Sequence, residues 1–128
     1  MCFNKLFKGA LLFVSSYFLC FTSSAQMSGT YVVGGINADF NTISDAVNSL
    51  STNGVSGPVI INISAGTYNE FFTIPSISGS SSNNTITIQG ATLDSSDVII
   101  QSVFGGTPDH IILLDGVDYL TIRYCTIT

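Results

Sequence analysis

One stretch near residue 45 has apolar residues at helical spacing. The positions that fall on one face are Phe40, Ile43, Ala46, Val47 and Leu50. Asn41 or Thr42 can cap the N-terminus of this helix, and Asp45 lies in its first turn, where the helix dipole favours an acid. The pair Asn53-Gly54 ends it. Because a helix of about two to three turns is not stable alone, it must pack on an apolar surface.

Short apolar runs separated by turn residues make up the rest of the chain. One run at 29–35 precedes the helix and ends in a Gly-Gly turn. The runs that follow the helix are 59–64, 71–74, 85–89, 98–102, 111–114 and 120–127. Apolar and polar residues alternate in 85–89 and 120–123, which predicts strands with one face inward and one face in solvent.

The spacing of these runs predicts the fold. Runs begin at 59, 85 and 111, which are 26 residues apart, and each is followed by a second strand, at 71, 98 and 120. A β-rich repeat of this length is typical of a solenoid. We therefore expect an all-β, right-handed, single-stranded parallel β-helix, with an N-terminal helix cap and about three coils. Ile86 and Ile88 should stack between Ile61 and Ile63 on one side and the pair Ile112 and Leu114 on the other.

The same pattern disfavours two other β-rich folds. A β-sandwich explains neither the recurrence nor the leading helix, and the Leu and Asn pattern of leucine-rich repeats is absent.

The last residues, 124–128, lie in a strand-like run without a polar cap. We therefore expect the β-helix to continue beyond residue 128, so that this chain is its N-terminal portion.

Residues 1–25 have the organisation of a secretory signal peptide. Lys5 and Lys8 precede an apolar run at 10–21, and small residues lead to Ala25, so cleavage is expected between Ala25 and Gln26. The apolar run is too short for a membrane anchor, which needs about 20 residues. A lipid anchor on Cys20 is disfavoured by Leu19 before it. Residues 26–128 then form one β-helix domain of a secreted or cell-surface bacterial protein, with no membrane association after cleavage.

Cleavage leaves a strongly acidic domain. Arg123 is its one base against eight acids, a net charge of −7. Such a surface disfavours nucleic acid and anionic membranes. Cys125 is the one remaining cysteine, so no internal disulfide forms, and we interpret it as a small buried apolar residue.

Three stretches resemble the N-terminal part of pectin-lyase-like β-helix proteins, and pectin methylesterases in particular. They are 39–47, which is similar to the capping helix, 59–74, which is similar to the first coil and contains Gly66-x-Tyr68-x-Glu70, and 84–90, which is similar to the next strand and its glycine turn. The resemblance implies the fold and an extracellular polysaccharide as partner. The aspartates, glutamines and arginine that the family uses in catalysis have no counterpart here, so no catalytic residue is assigned.

Tyr68 and Glu70 are the candidate substrate-binding residues. They can line one end of a sugar-binding cleft, or they can build a tight bend with Gly66. Five aspartates flank turns, where an Asp bonds its own backbone, and we expect neither a metal site nor a cofactor: Asp94, Asp97, Asp109, Asp115 and Asp118. His110 lacks a positioned serine, and Asp109 is expected on the opposite face of a strand.

Two functions remain open at this point. The first is a carbohydrate-directed protein, similar to pectin methylesterases or polysaccharide lyases, without its catalytic coils, so that this chain itself has no enzymatic activity. The alternative is a non-catalytic bacterial surface or adhesion protein that uses the β-helix as a spacer or binding face.

Overall fold

The structure is a computed structural model that describes residues 25–102 and 108–128. It is mostly β-structure with parallel sheets, as expected of an all-β parallel protein. The predicted signal peptide falls almost wholly on residues outside the described ranges. The two residues of the predicted cleavage site, Ala25 and Gln26, are described and exposed immediately before the first strand.

Helix α1, Ile43–Asn53, has the N-cap, the buried apolar face and the terminal glycine that the sequence predicts. Thr42 is the N-cap, with an extended backbone, and its hydroxyl accepts a hydrogen bond from the backbone N–H of Asp45 at 3.0 Å. Gly54, at φ 69°, ends the helix, because a positive φ is easily adopted only by glycine. Ile43, Ala46, Val47 and Leu50 are buried as predicted, whereas Phe40, which was predicted on the same face, lies before the helix and is only partly buried. The helix packs against strands β1 (Met27–Val33), β2 (Val55–Ile63) and β4 (Phe72–Pro75).

The strands of the described residues form three parallel sheets. Their bounds are β1 Met27–Val33, β2 Val55–Ile63, β3 Gly66–Asn69, β4 Phe72–Pro75, β5 Ile86–Gly90, β6 Val98–Gln101, β7 Ile112–Asp115, β8 Leu120–Arg123 and β9 Thr126–Ile127. The sheet orders are β1-β2-β5-β8, β3-β6-β9 and β4-β7. The chain therefore visits the three sheets in a fixed order, first with β2, β3 and β4, then with β5, β6 and β7, and again with β8 and β9.

The register places aliphatic side chains above one another in the interior. Val59, Ile86 and Leu120 are partners in successive strands, as are Ile61, Ile88 and Ile122. The members of these sets in β2 and β5 are at most 1% exposed, and they form one core with the apolar face of α1. Each such side chain contributes roughly 1.5–3 kcal/mol on burial.

Two parts of the predicted stacking are wrong. Ile61 pairs with Ile88 rather than Ile86, and Ile63 pairs with Gly90. Ile112 and Leu114 do not stack on β5. They pair with Phe72 and Ile74 of β4. The connector between β6 and β7 is much longer than the connector between β3 and β4. Strands that begin at equal intervals along the sequence therefore belong to different sheets.

The structure also contains strands that the sequence pattern did not separate. Residues 66–69 form β3, paired in parallel with β6, where only a bend was expected. The predicted strand at 120–127 is two strands, because Tyr124 has φ 54° and turns the chain between β8 and β9. The second strand of each repeat is thus β3, β6 or β9, and the start points 71 and 120 were assigned to the wrong sheets.

Candidate functional site

Glu70 lies against the N-terminus of α1. Its carboxylate accepts hydrogen bonds from the backbone N–H groups of Ile43 and Ser44, each at 3.0 Å, and from the Ser44 hydroxyl at 2.7 Å. The next N–H, that of Asp45, is taken by Thr42. A helix leaves its first N–H groups without backbone partners, and a negative charge is favourable there. Glu70 therefore joins the chain after β3 to the start of α1.

Tyr68 points to the inner side of β3, the side on which the buried residues Val98 and Ile100 of the neighbouring strand β6 also lie. Its backbone pairs with Ile100, and its ring packs against the core. The hydroxyl donates to the backbone carbonyl of Ser64 at 2.7 Å. Burial, and secondly the negative charge of Glu70, raise the pKa of Tyr68. The phenol is therefore held in its neutral form.

The turn after β1 is shaped to receive Tyr68. Gly34 has φ 72°, and a Cβ at this position would lie 2.5 Å from the Tyr68 hydroxyl. The Ser64 hydroxyl donates to the Gly34 carbonyl at 2.8 Å. The Gly-x-Tyr-x-Glu segment thus connects three parts of the fold: the β1 turn, strand β3 and the start of α1. These contacts are made from a strand, not from the tight bend that the sequence suggested, and they use the Tyr68 hydroxyl and the Glu70 carboxylate for hydrogen bonds within the fold.

A polar ladder that the sequence interpretation missed runs across the outer face of β2, β5 and β8. The amide of Gln89 donates to Asn62 Oδ1 at 2.9 Å, and Arg123 Nε donates to Gln89 Oε1 at 2.8 Å. These three residues are register partners, and Gln89 is only 8% exposed. The signal in the sequence is that β5 and β8 share one pattern, an aliphatic residue, Thr, an aliphatic residue and a polar residue.

A second amide pair lies on the outer face of β3 and β6. The Gln101 amide donates to Asn69 Oδ1 at 2.7 Å, and Asn69 is exposed. Each amide side chain has donor and acceptor capacity beyond this one bond. Phe71, two residues after Asn69, is 53% exposed. The pair and the aromatic ring are therefore accessible to solvent.

The remaining candidates occupy turns and edges. Asp94 accepts hydrogen bonds from the Ser96 N–H at 2.9 Å and the Ser96 hydroxyl at 2.7 Å, which lower the pKa of Asp94. Asp109 was expected to point away from His110, but His110 Nδ1 and Asp109 Oδ1 lie 3.7 Å apart in an irregular segment. Burial raises the pKa of the Cys125 thiol, which disfavours the reactive thiolate.

Residues 25–102 and 108–128 hold no group of three or more His, Cys, Asp or Glu side chains arranged to bind a metal ion. Within the same ranges, no helix has the length and apolar character needed to span a membrane.

Comparison of the chain with protein-family models, with curated protein sequences and with solved structures finds no match. The resemblance to pectin-lyase-like proteins therefore stays a prediction from the motifs.

Proposed function

We propose that residues 26–128 form a right-handed parallel β-helix whose first coil is covered by α1, and that this domain is a rigid, non-catalytic scaffold of a secreted or cell-surface protein. The fixed order in which the chain visits three parallel sheets supports the β-helix. The handedness follows the strong preference of parallel strand connections for right-handed crossovers. Covering the first coil removes strand edges that would otherwise invite aggregation.

The observation that carries the scaffold proposal is the use of the candidate site by the fold itself. Glu70 accepts three hydrogen bonds from the first turn of α1, and Tyr68 donates to Ser64. A general acid, base or sugar-binding group needs lone pairs or protons that reach the substrate. Here these groups stabilise the junction between α1, β1 and β3.

Export of the protein and its lack of enzymatic activity can each be measured. Expressed with its first 25 residues in a bacterial host, the protein should reach the periplasm or medium with Gln26 as its first residue, as read by mass spectrometry of the intact chain. The purified protein should release no methanol from methylesterified pectin above an enzyme-free blank. Retention of residues 1–25, or methanol release that scales with protein concentration, contradicts it.

A carbohydrate-binding role is the second candidate, and the amide pair of Asn69 and Gln101 favours it. Amide side chains bond to sugar hydroxyl groups, and an exposed aromatic ring such as Phe71 offers an apolar face to a sugar ring. Affinity electrophoresis in gels containing pectin should then show retardation of the wild type and loss of retardation in N69A/Q101A. The matched control is N83A, which removes an exposed amide from a loop. Equal mobility of all three proteins with and without pectin rejects this role.

A further inference from the structure

The outer side of β1 carries backbone groups that the sheet itself does not pair. Among the described residues β1 has one neighbouring strand, β2. The carbonyl of Val33 accepts a hydrogen bond from Ser64, so Val33 faces β2. Because backbone groups of alternate residues in a parallel strand point to opposite neighbours, those of Thr30 and Val32 point away from β2. Such a row of groups is a template for an added strand.

Residues 34–40 form a turn, the edge turn, that fills this side of β1 with its own backbone. The carbonyl of Val32 accepts hydrogen bonds from the N–H groups of Asp39 and Phe40, at 2.9 and 3.1 Å. The N–H of Gly34 donates to the Phe40 carbonyl at 2.9 Å, and Val33 and Phe40 form a parallel bridge. Residues 39 and 40 therefore lie where the backbone of a preceding strand would lie.

The side chain of Asp39 takes the donor that remains at this position. Its Oδ2 accepts a hydrogen bond from the Val32 N–H at 2.8 Å. A strand added to β1 would need that N–H for one of its own carbonyls, and a carboxylate is the stronger acceptor. The new strand would also cover an unpaired negative charge, which is costly.

The edge turn is held in place by more than these hydrogen bonds. Gly35 and Asn37 have φ values of 81° and 59°, which reverse the chain so that it returns along β1. The rings of Tyr31 and Phe40 lie 5.9 Å apart, and both pack against the core. A strand that displaced the turn would break the ring contact as well. All of these contacts are made within residues 31–40, so they do not depend on what precedes or follows the described chain.

We propose that the edge turn blocks strand addition to β1 by a second copy of this chain, and that Asp39 is the residue on which the block depends. A second copy is the occupant that fits best, because every copy carries strands that already pair in parallel within this sheet, such as β5 and β8. A contact of that kind joins two different surfaces and continues into fibres. The proposal needs only the parallel sheet, so it stands apart from the absence of catalysis and from export.

The first test is amide hydrogen exchange of the purified protein, followed residue by residue by NMR spectroscopy. After correction for intrinsic rates, the Val32 amide should exchange at least about tenfold more slowly than the Thr30 amide, because Thr30 has no backbone partner among the described residues. D39A should remove this difference and leave the rate of Tyr31, which faces β2, unchanged. D39N retains an acceptor oxygen and should keep Val32 protected. Equal exchange of Val32 and Thr30 in the wild type overturns the proposal, and this comparison needs no variant to fold.

The second test is self-association, measured by sedimentation velocity over a range of concentrations. D39A should associate at least about tenfold more strongly than the wild type, because one hydrogen bond to a charged group no longer opposes strand addition. The amides of Thr30 and Val32 should become protected in the associated form. D118A removes an exposed acid elsewhere and should behave like the wild type, as should D39N.

Three results of the second test overturn the proposal. The first is association of D39A that is no stronger than that of D118A. The second is association of D39A that protects other strands but not Thr30 and Val32. The third is association of D39N as strong as that of D39A, since loss of charge rather than loss of the hydrogen bond is then the cause. Circular dichroism spectra equal to that of the wild type establish that the compared variants are folded.

Discussion

Glu70 is the residue at which the local sequence and the tertiary structure give different information. The Gly-x-Tyr-x-Glu motif is visible in the sequence, but the partners of Glu70 are Ile43 and Ser44, which are 27 and 26 residues away. No local pattern indicates that contact. The motif therefore suggested a sugar-binding cleft or a bend, whereas the contacts show a link between β3 and α1.

Replacing Glu70 should destabilise the protein. E70A leaves the N–H groups of Ile43 and Ser44 without their carboxylate partner, and hydrogen bonds to a charged group contribute roughly 1.5–3 kcal/mol. We expect the free energy of unfolding, measured by urea titration, to fall by about 2–3 kcal/mol. D118N, which changes an exposed acid outside the helix, should lie within about 0.5 kcal/mol of the wild type. Equal stability of E70A and D118N contradicts the anchoring role.

Tyr68 should make the protein sensitive to alkaline pH. Because its pKa is raised in the folded state, the unfolded state releases the phenol proton more readily. The contribution of this group to stability is complete below the unfolded pKa, near 10, and is lost as pH rises through the higher folded pKa. Melting temperatures recorded from pH 8 to 11 should fall less steeply for Y68F than for the wild type. Parallel curves would show that Tyr68 does not titrate differently on folding.

At the scale of elements, α1 was predicted well and the strand pairs were not. The helix depends on a local pattern, since its cap, its apolar face and its terminal glycine lie within a dozen residues. The strands were found as segments for the same reason. Their pairing depends on connectors whose lengths vary: Val59 pairs with a residue 27 positions later, and Phe72 with one 40 positions later.

The stability of α1 should come from its buried face. Leu50 is fully buried, and truncation of such a residue to Ala typically costs about 2–5 kcal/mol, because a cavity remains. L50A should therefore unfold at a clearly lower urea concentration than T52A, which shortens an exposed residue of the same helix. If the two variants unfold together, α1 does not contribute to the core as the packing indicates.

At the scale of the whole molecule, side-chain burial decreases from the strands that pack against α1 toward β7, β8 and β9. Ile74 and Ile100 are 0% exposed, whereas their partners Leu114 and Ile127 are 56% and 49% exposed. Each strand is thus protected by the strand that follows it in the same sheet. The described residues share one core rather than a set of separate ones.

This gradient predicts the order of hydrogen exchange. Amides of β2 and β5 lie between two neighbouring strands, while β8 and β9 have a neighbour on one side in the described residues. Exchange followed by mass spectrometry of peptic fragments should therefore be slowest in β2 and β5 and clearly faster in β8 and β9. Uniform protection along the chain would mean that the edge of β8 is covered in solution, by a second copy or another segment.

The amino-acid sequence by itself determined the helix, most of the strand segments and, in β5 and β8, the side of the strand that turns inward. These depend on residue periods and turn residues within a few positions. Only the tertiary structure decided that Ile112 stacks on Phe72 instead of Ile86, that Glu70 belongs to α1, and that Asn62, Gln89 and Arg123 form one ladder. Contacts of that kind join residues about 26 to 40 positions apart, across connectors of unequal length. A connector at the surface can become longer without changing how the strands on either side of it pair, so sequence spacing alone does not reveal the partners.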